Sequence, residues 1–194
     1  MSVSASLDDH PIRLVVTDDL ERSRLTVLLR LLLAIPHLVV VYVWGILAAV
    51  AVVIAWLAGV FLGRIPDGLH NFLASFVRYA TRVRAYVGIL ANPFPTFGSG
   101  GSYPVDAEIA PPTAQNRLTI FFRLLLAIPA LVLGYVFQIG LNIVAVFGWF
   151  ASLALGRMPG GLENLGIYCL RWETQTWAYV FLLTSRYPSL SGIG

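Results

Sequence analysis

The sequence predicts an all-α integral membrane protein built from two tandem repeats, and three observations support this prediction. Hydrophobic residues make up 58% of the 194 residues and charged residues only 12%, with a mean hydropathy of +0.78, which excludes a water-soluble domain and a disordered chain. Two segments, 25–62 and 118–155, are almost entirely apolar and contain one formally charged residue each, an arginine. The heptapeptide RLLLAIP occurs at residues 30–36 and again at 123–129, which indicates a duplication.

The duplication divides the chain into repeats. An offset of 93 residues aligns the two copies without a gap and matches Trp56 with Trp149. A Gly/Ser segment between the copies has the composition of a flexible linker. The N-terminal tail lacks the apolar stretch of a signal peptide, so we expect the internal apolar segments to direct insertion. The predicted parts are a tail at 1–10, a membrane repeat at 11–97, a linker at 98–103, a membrane repeat at 104–190 and a tail at 191–194.

Each repeat is expected to begin with a short extended segment that leads into a helix. Residues 105–109 alternate apolar and acidic side chains, a weak strand pattern that predicts extended segments at 11–16 and 104–109. Residues 17–19 and 111–113 then offer side chains that cap the first turn of a helix. We expect each helix to start there and to run into the apolar segment.

The number of membrane spans depends on how each 38-residue apolar segment is used. A bilayer core requires about 20 helical residues, so each segment forms either a hairpin of two short spans or one long span after an interfacial helix that breaks at Pro36 or Pro129. The hairpin puts every arginine on the cytoplasmic side and the polar residues at 138–142 at an outer turn. We therefore expect four spans, with Arg30 and Arg123 reaching the headgroups.

Small residues recur every four positions in the second half of each apolar segment. Such a stripe lets helix backbones approach closely in lipid. Because both repeats carry it, we expect the two helices to cross each other on a pseudo-twofold axis; a contact between copies of the chain is the alternative. The expected helix-packing residues are Ala55, Gly59, Gly63, Gly148, Ser152 and Gly156.

A turn and an amphipathic segment follow each apolar segment. The turn motif GRIPDGLHN at 63–71 returns as GRMPGGLEN at 156–164, and its glycine and proline end a helix. In residues 69–90 and in the second copy, arginines lie opposite aromatic and aliphatic residues, which is typical of a helix in the interface plane. A third span per repeat is the alternative. The residues expected to contact lipid or a partner are Arg64, Arg78, Arg82, Arg157, Arg171 and Trp172.

These motifs, taken together, resemble a known family. The pattern RLxxFFRLLLAIP, an aromatic-rich span, GRxPxGLxN and a closing RYPxL lies here at 117–129, 156–164 and 186–190. It resembles the bacterial domain-of-unknown-function family numbered 4389, present as two copies over nearly the whole chain. The first copy departs from the pattern at 92–95. The resemblance implies a prokaryotic integral membrane protein without an assigned activity, and it brings no catalytic residues.

The sequence offers no recognisable catalytic or metal-binding constellation. His10, His37 and His70 have no second ligand at metal spacing. We interpret His37 as structural and the single cysteine, Cys169, as a packing residue. The net charge of +3 is too small to indicate nucleic-acid binding. We therefore expect neither an enzyme nor a cofactor or metal site.

The expected function follows from these patterns. We expect a multi-pass protein of the bacterial cytoplasmic membrane, with its termini and arginine-rich segments on the cytoplasmic side. It would serve as an accessory or scaffolding subunit of a larger membrane complex, or organise lipid, with membrane lipids and a membrane protein or a second copy as partners. The alternative is a small transporter or channel formed by the repeat pair or a homo-oligomer. A lipid-headgroup enzyme would need chemistry from partner chains.

Overall fold

The computed structural model describes residues 10–98 and 100–190, which form a mostly helical protein with one small sheet. The expected tail residues 1–9 and 191–194 lie outside the described residues. Each repeat contributes one strand, one long apolar helix and one shorter helix. In chain order the elements are β1 (Ile12–Val16), α1 (Arg24–Leu62), α2 (Asp67–Val87), β2 (Val105–Ile109), α3 (Arg117–Phe121), α4 (Arg123–Leu155) and α5 (Gly160–Val180).

The long apolar helices are continuous, so the expected hairpins and the four-span arrangement are wrong. Helix α1 runs for 39 residues and α4 for 33, each with a proline in its interior. Gly45 and Gly140, near the expected turns, instead face the shorter helices. An added Cβ would lie 3.5 Å from the Phe76 ring at the first position and 3.2 Å from the Cys169 Sγ at the second. These glycines therefore allow close helix packing and do not form turns.

Both long helices end at a glycine in the left-handed region. Gly63 and Gly156 each have φ 72°, and their backbone N–H groups donate to the carbonyls of Gly59 and Ser152. Glycine suits this position because it adopts positive φ without a Cβ clash. Helical structure starts later than expected, with α1 at Arg24 and the short α3 at Arg117, because residues 17–23 and 110–116 form the connection from each strand.

A pseudo-twofold axis relates the two repeats, as reciprocal contacts between equivalent residues show. The indole Nε1 of Trp56 donates to the Ile120 carbonyl, and that of Trp149 donates to the Val27 carbonyl, both at 3.0 Å. Trp149 and Ile120 are the equivalents of Trp56 and Val27, so one contact is made in both directions, as in an isologous twofold interface. The start of α1 thus meets the end of α4, and the two long helices are antiparallel.

The axis passes through the centre of the sheet and through the contact between the shorter helices. Strands β1 and β2 are antiparallel, and Leu14 lies opposite its own equivalent, Ala107. The hydroxyls of Thr81 and Thr174, also equivalent, are 3.1 Å apart. The repeats are therefore interlocked.

The linker is fixed to the fold at two points, unlike the free connection that its composition suggests. The Arg82 guanidinium donates to the carbonyls of Gly100 and Gly101. The apolar core also mixes the repeats: Ile120 joins the cluster around α1 and α2, whereas Val27 and Leu90 join the cluster around α4 and α5. The two larger clusters therefore each contain residues of both repeats.

Candidate membrane-contact surface

An apolar belt covers the outside of the long helices. Each long helix is buried along one stripe toward both of its ends, with buried residues every three or four positions, as at Ala48, Ala51, Ala55 and Gly59 on α1. The rest of its circumference is exposed and almost entirely apolar. We define the apolar belt as the exposed large hydrophobic side chains from Leu25 to Leu62 on α1 and from Leu118 to Leu155 on α3 and α4.

Arginines lie at both ends of the apolar belt. Arg24, at the start of α1, donates to the Ala154 carbonyl at 3.1 Å, and at the other end the side chain of Arg117 lies beside Gly63. A cation at a helix C-terminus is favourable because of the helix dipole. Arg64 and Arg157 follow the helix ends and are exposed. Each end of the antiparallel pair thus has two arginines.

The shorter helices are not simple surface helices, and two of their expected lipid contacts are wrong. Arg82 is 1% exposed and donates to the Asp106 carboxylate at 2.9 and 2.7 Å. Trp172 is 3% exposed. Arg78 is half-buried and donates to the Ala107 carbonyl, and Arg171 is half-buried with its guanidinium over a tyrosine ring. Helical periodicity identified Arg78 and Arg82 as one stripe of α2, the arginine stripe. It did not show that β2 covers this stripe.

The small-residue stripes pack against side chains and do not cross each other. An added Cβ at Gly59 would lie 3.0 Å from Ile65 and 3.1 Å from Ile120, and one at Gly148 would lie 2.9 Å from Met158. The two stripes therefore lie at opposite ends of the antiparallel pair, and the expected crossing is wrong. Ala55, Gly59, Gly148 and Ser152 are buried, whereas Gly63 and Gly156 end their helices.

Arg30 and Arg123 are buried structural groups, so the expectation that they reach the headgroups is wrong. Each is 1% exposed, with its guanidinium 4.5 or 4.1 Å from the centre of a tyrosine ring. Arg30 donates to the carbonyls of Tyr86 and Ala91, and Arg123 to that of Thr184. These carbonyls lie at and just beyond the ends of α2 and α5, where a cation is favourable. The only charged residues of the apolar segments are thus used inside the protein.

The outer face of the sheet is polar. Arg13 on β1 lies opposite Glu108 on β2, and both are exposed. Among the described residues the sheet has two strands, so each keeps one edge without a strand partner there. Strand β2 covers Arg78 and Arg82 of α2 and accepts their hydrogen bonds through the Ala107 carbonyl and the Asp106 carboxylate.

A notch of about 220 Å³ lies between α4 and α5; its lining is mostly apolar, and we call it the polar notch after Gln138 and Glu173. It is lined by Leu131, Gly134, Tyr135, Gln138, Glu173, Thr176 and Trp177. The Glu173 carboxylate accepts a hydrogen bond from Arg84 of the other repeat at 3.1 Å.

A carboxyl cluster joins the repeats near the start of α5, and sequence reasoning missed it. Asp18 pairs with Arg22 at 2.6 Å, and Glu163 lies beside them. Burial, reinforced by the negative charge of Asp18, raises the pKa of Glu163 to about 7. Asp18 and Glu163 are far apart in the chain, so no motif connects them.

His37 is buried in an aromatic cluster. Its Nδ1 lies 2.6 Å from the Tyr79 hydroxyl, and its ring packs against Phe94 and Phe97 with centroids 4.4 and 4.5 Å apart. This packing accords with a structural role. Within residues 10–98 and 100–190, no group of three His, Cys, Asp or Glu side chains is arranged to hold a metal.

The fold and this surface define a two-repeat helical protein with two helices that are long and apolar enough to cross a membrane. The family described as Domain of unknown function (DUF4389) matches residues 24–98 and 117–191, one copy in each repeat. The chain belongs to this family, which confirms the resemblance drawn from its motifs. Neither the curated proteins nor the solved structures include a match to the chain.

Proposed function

We propose that this is a non-catalytic integral membrane protein of the bacterial cytoplasmic membrane that organises lipid and acts as a scaffold or accessory subunit. The apolar belt carries the proposal. Soluble monomers rarely expose contiguous apolar patches of more than a few hundred Å², whereas the belt follows two helices, of which α1 alone is about 58 Å long. Lipid is the solvent in which such a surface is stable.

The use of the buried polar groups supports a non-catalytic role. Arg30, Arg82 and Arg123 are each directed at carbonyls or a carboxylate of the fold. A catalytic site needs an acid, base or nucleophile aimed at a reacting group, whereas these groups stabilise helix ends and the sheet. The proposal therefore assigns them to the rigidity of the scaffold, and it assigns to the belt the contacts with lipids and with a membrane-protein partner or a second copy.

Paired charge substitutions on the belt test membrane embedding. Val43 and Val136 are equivalent, exposed belt residues, and an aspartate at the centre of a membrane helix costs about 2.5–3.5 kcal/mol. We expect the Val43→Asp/Val136→Asp protein to lose flotation with vesicles of phosphatidylcholine and phosphatidylglycerol. The matched control is Asn71→Asp/Asn164→Asp, which adds the same charge at exposed positions of α2 and α5 and should float like the wild type. Equal flotation of both variants would overturn the proposal.

Vesicle shape tests the lipid-organising role separately. A protein that inserts its apolar belt from one face of the bilayer expands that leaflet more than the other. Reconstitution at high protein density should therefore shrink or tubulate vesicles, as seen by electron cryomicroscopy. Vesicles of unchanged diameter at the same bound density would contradict lipid organisation and leave the accessory role, which co-purification of a stoichiometric membrane partner would support.

The polar notch favours a small transporter or channel as the second candidate function. Gln138 and Glu173 place polar groups beside apolar helices, and polar groups inside membranes often mark solute pathways. Proteoliposomes with entrapped solutes distinguish the candidates, because a scaffold leaves solute flux at background. Flux above background that Glu173→Gln abolishes would favour transport.

A further inference from the structure

The direction of the pseudo-twofold axis relates the long helices to the rest of the molecule. A twofold rotation reverses a helix only when the axis is perpendicular to it. The contacts at Val27 and Trp56 are 29 residues apart on α1, which is about 44 Å. Since α1 meets the α3–α4 pair at both points, the long helices are close to antiparallel, and the axis is close to perpendicular to both.

The sheet lies at the mid-length of the long helices because it is on this axis. Leu14 pairs with Ala107 at the sheet centre. The part of α2 next to the axis also lies at the mid-length of α1, because Tyr79 contacts both His37 and Trp44. If the long helices stood along the membrane normal, the sheet would therefore lie at the bilayer midplane.

The sheet is unsuited to the bilayer midplane. Arg13 and Glu108 are exposed on it, and charged side chains are most costly at that depth.

The length of the long helices also argues against a spanning orientation. Helix α1 has 39 residues, about 58 Å, whereas the hydrocarbon core is about 30 Å thick. Leu25 and Phe61, near its two ends, are 68% and 73% exposed. In a spanning orientation these side chains would project into water, but in an orientation parallel to the membrane the whole belt stays in hydrocarbon.

The charges at the helix ends fit a layer of phospholipid headgroups. Arg24 and Arg157 lie at one end of the pair, and Arg64 and Arg117 at the other. A spanning orientation would divide these four exposed arginines equally between the two sides of the membrane, against the usual asymmetry. The acids Asp19 and Glu21 lie at the first end and Asp67 at the second, so the arginines are free to face phosphates only where these acids leave them exposed. An orientation parallel to the membrane puts all four on the side of one leaflet, where they can bind phosphates.

We infer that α1 and α4 lie in the plane of a single phospholipid leaflet, with the pseudo-twofold axis along the membrane normal and the sheet in water. The chain is then attached to one face of the bilayer and does not cross it. This inference rests on the proposed membrane embedding and specifies its geometry. It replaces multi-pass topology with one in which residues 10 and 190, next to the sheet side of α5, share the aqueous face with Arg13.

Spin-label depth measurements test this orientation. In a Cys169→Ser background, single cysteines replace Leu28, Val43 and Leu57, all exposed along α1, and Glu108 on the sheet. The labelled proteins are reconstituted in phosphatidylcholine–phosphatidylglycerol vesicles, and depth is measured from collisions with oxygen and with a water-soluble nickel chelate. We expect similar hydrocarbon depths for the three α1 labels and full nickel access for the Glu108 label. Thermal unfolding of each labelled protein verifies the fold.

Each other outcome has a distinct meaning. Neighbouring α1 labels are about 21–22 Å apart, so a spanning helix would give a deep label at 43, shallow labels at 28 and 57, and a deep label at 108. That result would overturn the inference but keep the proposed membrane embedding. Nickel access at all four positions would overturn both. Exclusion of oxygen and nickel from the α1 labels would mean that a second copy, and not lipid, covers the belt, which also overturns the inference.

Discussion

Gly166 on α5 is the position where added volume should be least tolerated. An alanine Cβ there would lie 2.5 Å from Leu90 Cδ2 and 3.1 Å from Val144 Cγ1. Leu90 is fully buried and belongs to the other repeat, so it has little freedom to move. Overpacking costs about 1–3 kcal/mol, and the better helix propensity of alanine returns up to about 1 kcal/mol. We expect Gly166→Ala to lower the free energy of unfolding by about 1–2 kcal/mol.

Reversible unfolding in mixed detergent–SDS micelles, followed by tryptophan fluorescence, measures this loss. Gly161→Ala is the control on the same helix, because an added Cβ there meets nothing within 4 Å; it should be neutral or stabilising by up to about 1 kcal/mol. Leu90→Ala removes the clash, so the double variant should lose at least about 1 kcal/mol less than the sum of the single losses. Equal stability of the two glycine variants, or strict additivity with Leu90→Ala, would refute the packing argument.

Three further predictions use the same unfolding assay. Trp149→Phe removes the hydrogen bond to the buried Val27 carbonyl and should cost about 1–2 kcal/mol; an unchanged stability would contradict its role between the repeats. Arg123→Met leaves the Thr184 carbonyl without its donor and should lower the free energy of unfolding by about 2–4 kcal/mol. A higher free energy of unfolding would mean that the buried charge destabilises the fold. Folding raises the pKa of Glu163 from 4.5 to about 7. The contribution of Glu163 to the free energy of unfolding is therefore complete below about pH 4.5 and is lost as the pH rises through about 7. Wild-type stability should therefore fall by up to about 3 kcal/mol between pH 5 and 8, and Glu163→Gln should remove this dependence; an identical pH profile in that variant would exclude Glu163 as its source.

Local patterns predicted the elements of this fold better than their arrangement. The alternation at 105–109 predicted β2, and the glycines at 63 and 156 marked the ends of the long helices, because backbone geometry at those positions depends on near neighbours. The duplication predicted equivalent elements in both repeats. None of these patterns shows which faces meet.

The errors came from assigning polar and small residues to lipid contacts before their protein partners were known. Arg30 looked like a headgroup anchor, but its partners are the carbonyls of Tyr86 and Ala91, more than 50 residues away. The segment at 138–142 looked like an outer turn, but it continues α4, and Gly140 within it faces the Cys169 Sγ. Arg82 looked like an interfacial residue, but it binds Asp106 from the other repeat. Each partner is distant in sequence, and no local pattern identifies it.

The same limit applies to the membrane orientation. Apolar length alone predicted spans, because 38 uncharged or nearly uncharged residues exceed what one crossing requires. The location of the sheet on the pseudo-twofold axis is a tertiary feature, produced by the pairing of β1 with β2. That pairing places Arg13 next to the axis, at the mid-length of the long helices, and so determines where Arg13 would lie in a membrane that the helices crossed.

Polarised infrared spectroscopy on oriented bilayers measures how the helices are tilted against the membrane normal. Helix α2 packs antiparallel along α1, with Tyr86 at Arg30 and Phe76 at Trp44, and α5 packs in the equivalent way on α4. The amide I dichroism therefore reports one common helix direction. Helices that lie in one leaflet give transition moments close to the membrane plane, in wild-type protein that floats with the lipid. Dichroism showing helices along the membrane normal would contradict this orientation.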